Sequence, residues 1–206
     1  IQYTMRYKIP SASLNDRCLL NLAKADYYPE QIKKEEIRLD ELLLDANELV
    51  LKPIGLSHRT DFEQEADDDR VLTVIGIDLL TTAFVNLIEN NCKYSDNRTS
   101  FIQISFCDQW TIVSLSDNGA GMSETDKENL FKLFYRGENK NQAQGHGIGM
   151  TLTKKILTLH KSEISVYSHQ GEGTTFVISF IIYNSGKIVE SISSDPANSN
   201  TFLILL

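Results

Sequence analysis

Two hundred and six residues are about one domain and a fraction, at roughly 150 residues per domain. Hydrophobic residues make up 41% and charged residues 23%, the composition of a globular chain rather than a disordered or collagen-like one. The 20 Lys and Arg against 28 Asp and Glu leave a net charge of −8, which speaks against a nucleic-acid or anionic-membrane surface, and no apolar run reaches the ~18 residues of a transmembrane helix. The opening Ile1-Gln2-Tyr3-Thr4 has neither an initiator Met nor a signal-peptide core, as expected of a fragment. Cys18, Cys92 and Cys107 are an odd number without metal spacing, which fits a reducing compartment. The composition points to a soluble, acidic, cytoplasmic domain.

The first periodic segment, Leu14 to Lys24, carries an apolar stripe at Leu14, Cys18, Leu19 and Leu22, with Pro29 beyond it. That is helical spacing, and the stripe is expected to pack on the rest of the chain or on a partner helix. Ile37 to Leu51 is helical again, with Asp40 as a candidate cap and Pro53 and Gly55 as stops. Arg59 to Asp69 places Phe62 among acids and fits a solvated edge strand running into a turn better than a metal cluster. Asp78 to Tyr94 reads as a strong helix through Leu79, Leu80, Ala83, Phe84, Leu87, Ile88 and Asn91. Phe101–Phe106 and Trp110–Ser116 form a hairpin across Cys107-Asp108-Gln109. Ser123 caps a short helix from Glu124 to Phe134, and Gly149 to His160 makes another. Strands over Glu163–Ser168 and Thr174–Tyr183 flank a Gly171-Glu172-Gly173 turn. Strands that bunch rather than alternate with helices predict an α+β fold with helices on one sheet face.

Three glycine clusters follow: Asp117-Asn118-Gly119-Ala120-Gly121-Met122 after a strand, Gly145-His146-Gly147-Ile148-Gly149-Met150 opening a helix, and Gly171-Glu172-Gly173-Thr174 between strands. Glycine admits close backbone approach, and helix N-terminal amides attract anions, although a tight turn explains any one cluster equally well. No Gly-Lys-Ser/Thr follows them, and none sits after the first strand of a βαβ unit, so neither the P-loop nor the dinucleotide fingerprint is met. On the central helix, Asn86, Asn90 and Lys93 share one face, with Tyr94 beside it. Amide oxygens suit Mg²⁺, which keeps waters and binds substrate phosphates, and a lysine one turn on adds positive charge. A solvated polar face would look the same.

In this order the four features resemble the N, G1, G2 and G3 boxes of the ATP-binding domain of sensor histidine kinases, in the superfamily shared with gyrase B, heat-shock chaperones and mismatch-repair ATPases. Leu130-Phe131-Lys132-Leu133-Phe134-Tyr135-Arg136-Gly137 resembles their F box, and the likeness spans about residues 30 to 184. It implies a two-layer α/β sandwich of the Bergerat type, a mixed sheet with three helices on one face. It further implies domain limits of 1–27 for the end of the second helix of a dimerisation and phosphoacceptor domain, 28–184 for the catalytic domain, and 185–206 for a linker.

Position by position, the resemblance implies that Asn90 coordinates Mg²⁺ and Asn86 supports the metal and the ATP phosphates. Lys93 meets the phosphates and Tyr94 flanks adenine, while Glu89 stands next to the metal ligand as a catalytic candidate. Asp117 accepts the adenine amino hydrogen, Gly119 and Gly121 let the purine lie flat, and Met122 lines the same place. Gly145, His146, Gly147, Ile148, Gly149 and Met150 wrap the triphosphate, Thr174 joins the adenine water network, and Arg136 to Gly147 form a lid. The family usually has Ala where this chain has Asn91, which alters the packing behind the site if it points inward. Hydrolysing relatives keep a water-activating carboxylate at the position of Asn86, so this pocket is built for transfer rather than hydrolysis. None of His58, His146, His160 and His169 lies in a phosphoacceptor context, and all read as ordinary surface histidines. The acceptor histidine is therefore expected upstream, in a dimerisation domain of a homodimeric parent anchored in the inner membrane, with a response-regulator receiver domain as partner. The apolar Thr201–Leu206 resembles the first strand of such a receiver. An anti-sigma-factor-type serine kinase and a non-catalytic nucleotide-sensing module are the rival readings.

Overall fold

A computed structural model describes residues 34–54, 59–64, 71–96, 98–107, 109–137 and 147–181. The expected helix at Leu14–Lys24, the chain beyond residue 181, and Gly145 and His146 lie outside them. In chain order the elements are β1 (Lys34–Arg38), α1 (Leu39–Ile54), β2 (Arg59–Gln64), β3 (Val71–Ile75), α2 (Ile77–Tyr94), β4 (Thr99–Cys107), β5 (Trp110–Asp117), α3 (Glu124–Asn129), α4 (Gly149–Leu159), β6 (Glu163–His169) and β7 (Gly173–Ile181).

The main sheet has the order β2-β4-β5-β7-β6, and a separate antiparallel ladder joins β1 to β3. β2 runs parallel to β4 while the other neighbours are antiparallel, so the sheet is mixed. β2 lies at its edge, where the acidic segment was expected to sit. Strict alternation makes the sheet two-faced. Ile102, Ile104, Val113, Leu115, Phe176, Ile178 and Phe180 are buried, while Gln103, Ser105, Ser114, Ser116 and Ser179 are half-exposed on the other side.

Helix α2 lies over β4 and β5, with α1 and α4 against its flanks. Its stripe Leu79, Leu80, Ala83, Phe84, Leu87 and Ile88 is almost wholly buried, and the Phe84 and Phe180 rings meet at 6.2 Å and 40°. Being enclosed, it also buries Thr81 and Thr82, whose hydroxyls donate to Ile77 O and Asp78 O one turn back. No helix among the described residues is long and apolar enough to cross a membrane.

Two helix boundaries and one histidine depart from the sequence expectation. α1 starts at Leu39, so Asp40 stands in its first turn, and its carboxylate turns back onto the Arg38 guanidinium at 2.7 Å instead of capping a helix begun at Ile37. α3 stops at Asn129, not Phe134, because the following chain leaves helical geometry: Phe134 has φ 62 and donates its N–H to Gly147 O. His160 is no surface histidine. Its Nδ1–H donates to Ile156 O at 2.8 Å and its Nε2 accepts from Ile75 N–H at 3.1 Å, tying α4 to β3, and burial pushes its pKa down.

Ser123 does cap α3. Its Oγ accepts from Asp126 N–H at 3.1 Å and donates to the Asp126 carboxylate at 2.9 Å. Ser123→Ala is expected to cost about 1 kcal/mol in urea unfolding; an unshifted midpoint would show that the cap does not contribute to global stability.

Candidate nucleotide site

Four chain segments converge at one end of the sheet. The C-terminal half of α2 supplies Asn86, Glu89, Asn90, Lys93 and Tyr94. The start of α4 supplies Gly147, Ile148, Gly149 and Met150. The ends of β5 and β7 supply Asp117, Gly119, Gly121, Met122 and Thr174.

Asn86 is buried and donates from Nδ2 to Gly149 O at 3.4 Å, and Asn90 points its Nδ2 at Met150 Sδ, 2.9 Å away. Each amide spends its nitrogen on α4 and keeps its oxygen for another partner. α4 follows Ile148 as its N-cap, with no side-chain cap among the described residues and no acidic residue in its first turn. Its N-terminal amides and dipole therefore face the asparagines uncompensated, a setting that favours an anion. Lys93 pairs with Glu89 at 3.6 Å, and each is about one-third exposed, so the pair can open toward a ligand. No cluster of three or more His, Cys, Asp or Glu able to hold a metal occurs among the described residues. An amide-based Mg²⁺ site completed by phosphates and water needs none.

Asp117 closes the other side. It is 5% exposed, and its Oδ1 accepts from Gly119 N–H at 2.9 Å. Burial pushes its pKa up to about 6, against the opposing pull of the Gly119 and Thr174 backbone N–H groups, and Asp96 adds to the rise. At neutral pH it is an ionised acceptor in a nearly dry place, ready for a ligand N–H. Tyr94 is 43% exposed at the rim.

The glycines of this loop are needed for chain crossing. A Cβ on Gly119 would overlap the Tyr94 carbonyl, because Ser95 and Gly119 form a bridge between the end of α2 and the β5 loop. Gly121 has φ +65, and a Cβ there would overlap the His169 carbonyl. Met122 is partly buried against the core, while its N–H donates to Ser168 Oγ at 2.9 Å.

Arg136 is exposed beyond Tyr135, whose hydroxyl donates to Asp126 at 2.7 Å. Thr151 Oγ1 donates to Phe131 O, and Lys154 lies 4.8 Å above the Phe131 ring, so the F-box segment is fastened to α4. Asn91 does point inward. It is fully buried, Nδ2 donates to Ser100 Oγ at 3.3 Å, and Oδ1 has no partner among the described residues. Ser168 is a polar residue of this region that sequence patterning passes over. A serine in a strand carries no signal until the β6–β7 register puts it beside Thr174.

Known proteins place this geometry. A family described as histidine kinase-, DNA gyrase B-, and HSP90-like ATPase matches residues 76–183. The sensor protein kinase WalK of Staphylococcus saprophyticus is 31% identical over 166 residues, 78% of this chain and 27% of its own length. The sensor histidine kinase YclK of Bacillus subtilis is 24% identical over 170 residues, 78% of this chain and 36% of its own. This chain thus spans about a quarter to a third of those relatives. Among solved structures, the mycobacterial sensor histidine kinase MprB aligns with a TM-score of 0.62 at 19% identity, covering 72% of this chain and 98% of that one. The catalytic domain of histidine kinase ThkA gives 0.62 at 20% identity, over 73% and 97%. A mixed sheet under three helices is the shared fold, and with the family match over the site-bearing half the conclusion follows: this chain belongs to the histidine kinase-, DNA gyrase B-, and HSP90-like ATPase family, as the ATP-binding domain of a sensor histidine kinase.

Proposed function

We propose that this domain transfers the γ-phosphate of Mg-ATP to a histidine outside residues 34–181. The observation that supports it most is the pairing of Asn86 and Asn90 with the uncapped start of α4, while Asp117 lies buried across the same opening. That arrangement suits a triphosphate at one end and an amino-bearing base at the other.

Asn90 Oδ1 would hold Mg²⁺ and Asn86 would back it, with the ion neutralising charge on the phosphates. Lys93 would swing from Glu89 to the phosphates, and the amides of Gly147, Ile148, Gly149 and Met150 would cradle them. Glu89, the carboxylate next to Asn90, would take the proton from an incoming imidazole. Asn86 cannot act as a base, so water is poorly activated. Asp117 and Thr174 would read the base, with Tyr94 against its face. Catalysis then consists of positioning and charge neutralisation.

In this reading residues 1–27 close the second helix of a dimerisation domain, and 185–206 lead toward a receiver domain. The phosphorylated histidine belongs to a homodimeric parent protein held in the inner membrane, whose kinase portion is cytoplasmic.

The chain is expected to bind ATP, to hydrolyse it little, and to label a separately supplied upstream helical domain on histidine. Incubation with γ-labelled ATP, with and without that domain, reads the acid-labile, base-stable phosphohistidine. Vigorous hydrolysis alone, or label on serine, would overturn the reading.

A further inference from the structure

Ser168 on β6, Thr174 on β7 and Asp117 on β5 form one cross-strand row, Ser168 registered on Thr174 and Thr174 on Asp117. All three are more than nine-tenths buried, at 4%, 8% and 5% exposure.

The direction of every proton in this row follows from valence. A serine hydroxyl has one hydrogen to donate and two acceptor positions. Gly173 O lies 2.8 Å from Ser168 Oγ and can only accept, so it takes the serine hydrogen. Met122 N–H, at 2.9 Å, can only donate, so it fills one acceptor position. Thr174 Oγ1, at 3.0 Å, must therefore donate into the other. The only hydroxyl hydrogen of Thr174 is spent inward, and its oxygen is left purely as an acceptor. Ionised Asp117 is an acceptor as well.

We propose that Ser168 is a specificity-determining positioning residue of the nucleotide site, committing the Thr174 hydroxyl inward so that the base meets acceptors alone and a 6-amino purine is selected over a 6-oxo purine. This rests on the ATP-site reading above. An amino group in direct contact has two hydrogens, one for each acceptor. An oxo group brings a third acceptor against them and finds no donor, a mismatch that leaves buried polar groups unpaired.

Ser168→Ala releases the Thr174 hydroxyl, which can then turn its hydrogen toward an oxo group. The test is calorimetric titration with ATP and with inosine triphosphate, which carries the oxo group. The ATP-to-ITP affinity ratio is expected to fall about tenfold in Ser168→Ala, chiefly through tighter ITP binding. Ser168→Cys, which keeps a weak donor and acceptor in nearly the same volume, is expected to fall less and serves if the alanine variant does not fold. In a Thr174→Val background there is no hydroxyl to redirect, so adding Ser168→Ala should leave the ratio unchanged. An unaltered ratio in both single Ser168 variants, with ATP still bound, would overturn the proposal and spare the site reading. An equal fall with and without Thr174 would also overturn it, since that is a loosened pocket rather than a redirected hydrogen. A protein that binds neither nucleotide would overturn the site reading and this proposal together.

Discussion

Asn90→Ala is expected to lower phosphoryl transfer roughly 100- to 1,000-fold while leaving the unfolding midpoint almost where it was. The side chain is half-buried, and its one hydrogen bond among the described residues is Nδ2 to Met150 Sδ, a weak acceptor. Alanine is also the better helix former, so the exchange costs α2 little. What is lost is the amide oxygen that would hold Mg²⁺ against the phosphates. The neighbouring Asn91→Ala supplies the contrast. Asn91 faces Ser100 in the core and already carries an unpartnered buried Oδ1, so its removal should spare transfer. Transfer rates with the upstream helical domain, measured across a magnesium titration, separate the two. Equal rates for Asn90→Ala and the unaltered chain would remove Asn90 from the metal site.

Much of the architecture is legible in the sequence because periodicity is strong where burial is one-sided. The stripe of α2 and the alternation of β4 and β5 are each set by one apolar face, and the observed spans differ from expectation by a residue or two. β1 left no comparable trace, although its partner Val71-Leu72-Thr73-Val74-Ile75 is a β-branched run of the strand type. Lys34-Glu35-Glu36-Ile37-Arg38 has one apolar residue, and it becomes a strand by pairing with Val71–Ile75, from beyond both α1 and β2. The end of α3 was hidden for a different reason. Leu130, Phe131, Leu133 and Phe134 continue a helical apolar pattern, but tertiary bonds from Phe134 N–H to Gly147 O and from Tyr135 to Asp126 stop the helix. In the site, the Asn86–Asn90–Lys93 face and Asp117 were visible as residue types with chemistry attached. Ser168 was not. Its role depends on three partners, Met122 from the loop after β5 and Gly173 and Thr174 from the start of β7, and no local spacing encodes such a meeting.

Asp117→Asn is expected to weaken ATP binding roughly 10- to 100-fold while stabilising the empty protein by about 1–3 kcal/mol at neutral pH. The two effects have one cause. Burial lifts the Asp117 pKa to about 6 in the fold, above the 3.8 of an unburied carboxyl. The folded state therefore holds this proton more tightly than the unfolded chain does. Stability contributed by the neutral acid is present below about pH 4 and is lost as pH rises to about 6, after which the ionised group stays as a constant penalty. Asparagine is neutral throughout and can still accept from Gly119 N–H through its Oδ1, so the variant avoids that loss. Urea unfolding at pH 4 and pH 8 should show the stabilisation at pH 8 and little or none at pH 4. Binding runs the opposite way in the unaltered protein. The ionised carboxylate is the form that accepts the base amino group, so affinity should fall as pH drops below about 6. Adenosine is the better probe of that dependence, because it lacks the phosphates that titrate in the same range. A variant that loses no affinity for ATP would release Asp117 from base recognition, and one that gains no stability at pH 8 would show that its carboxylate is not held ionised at a cost.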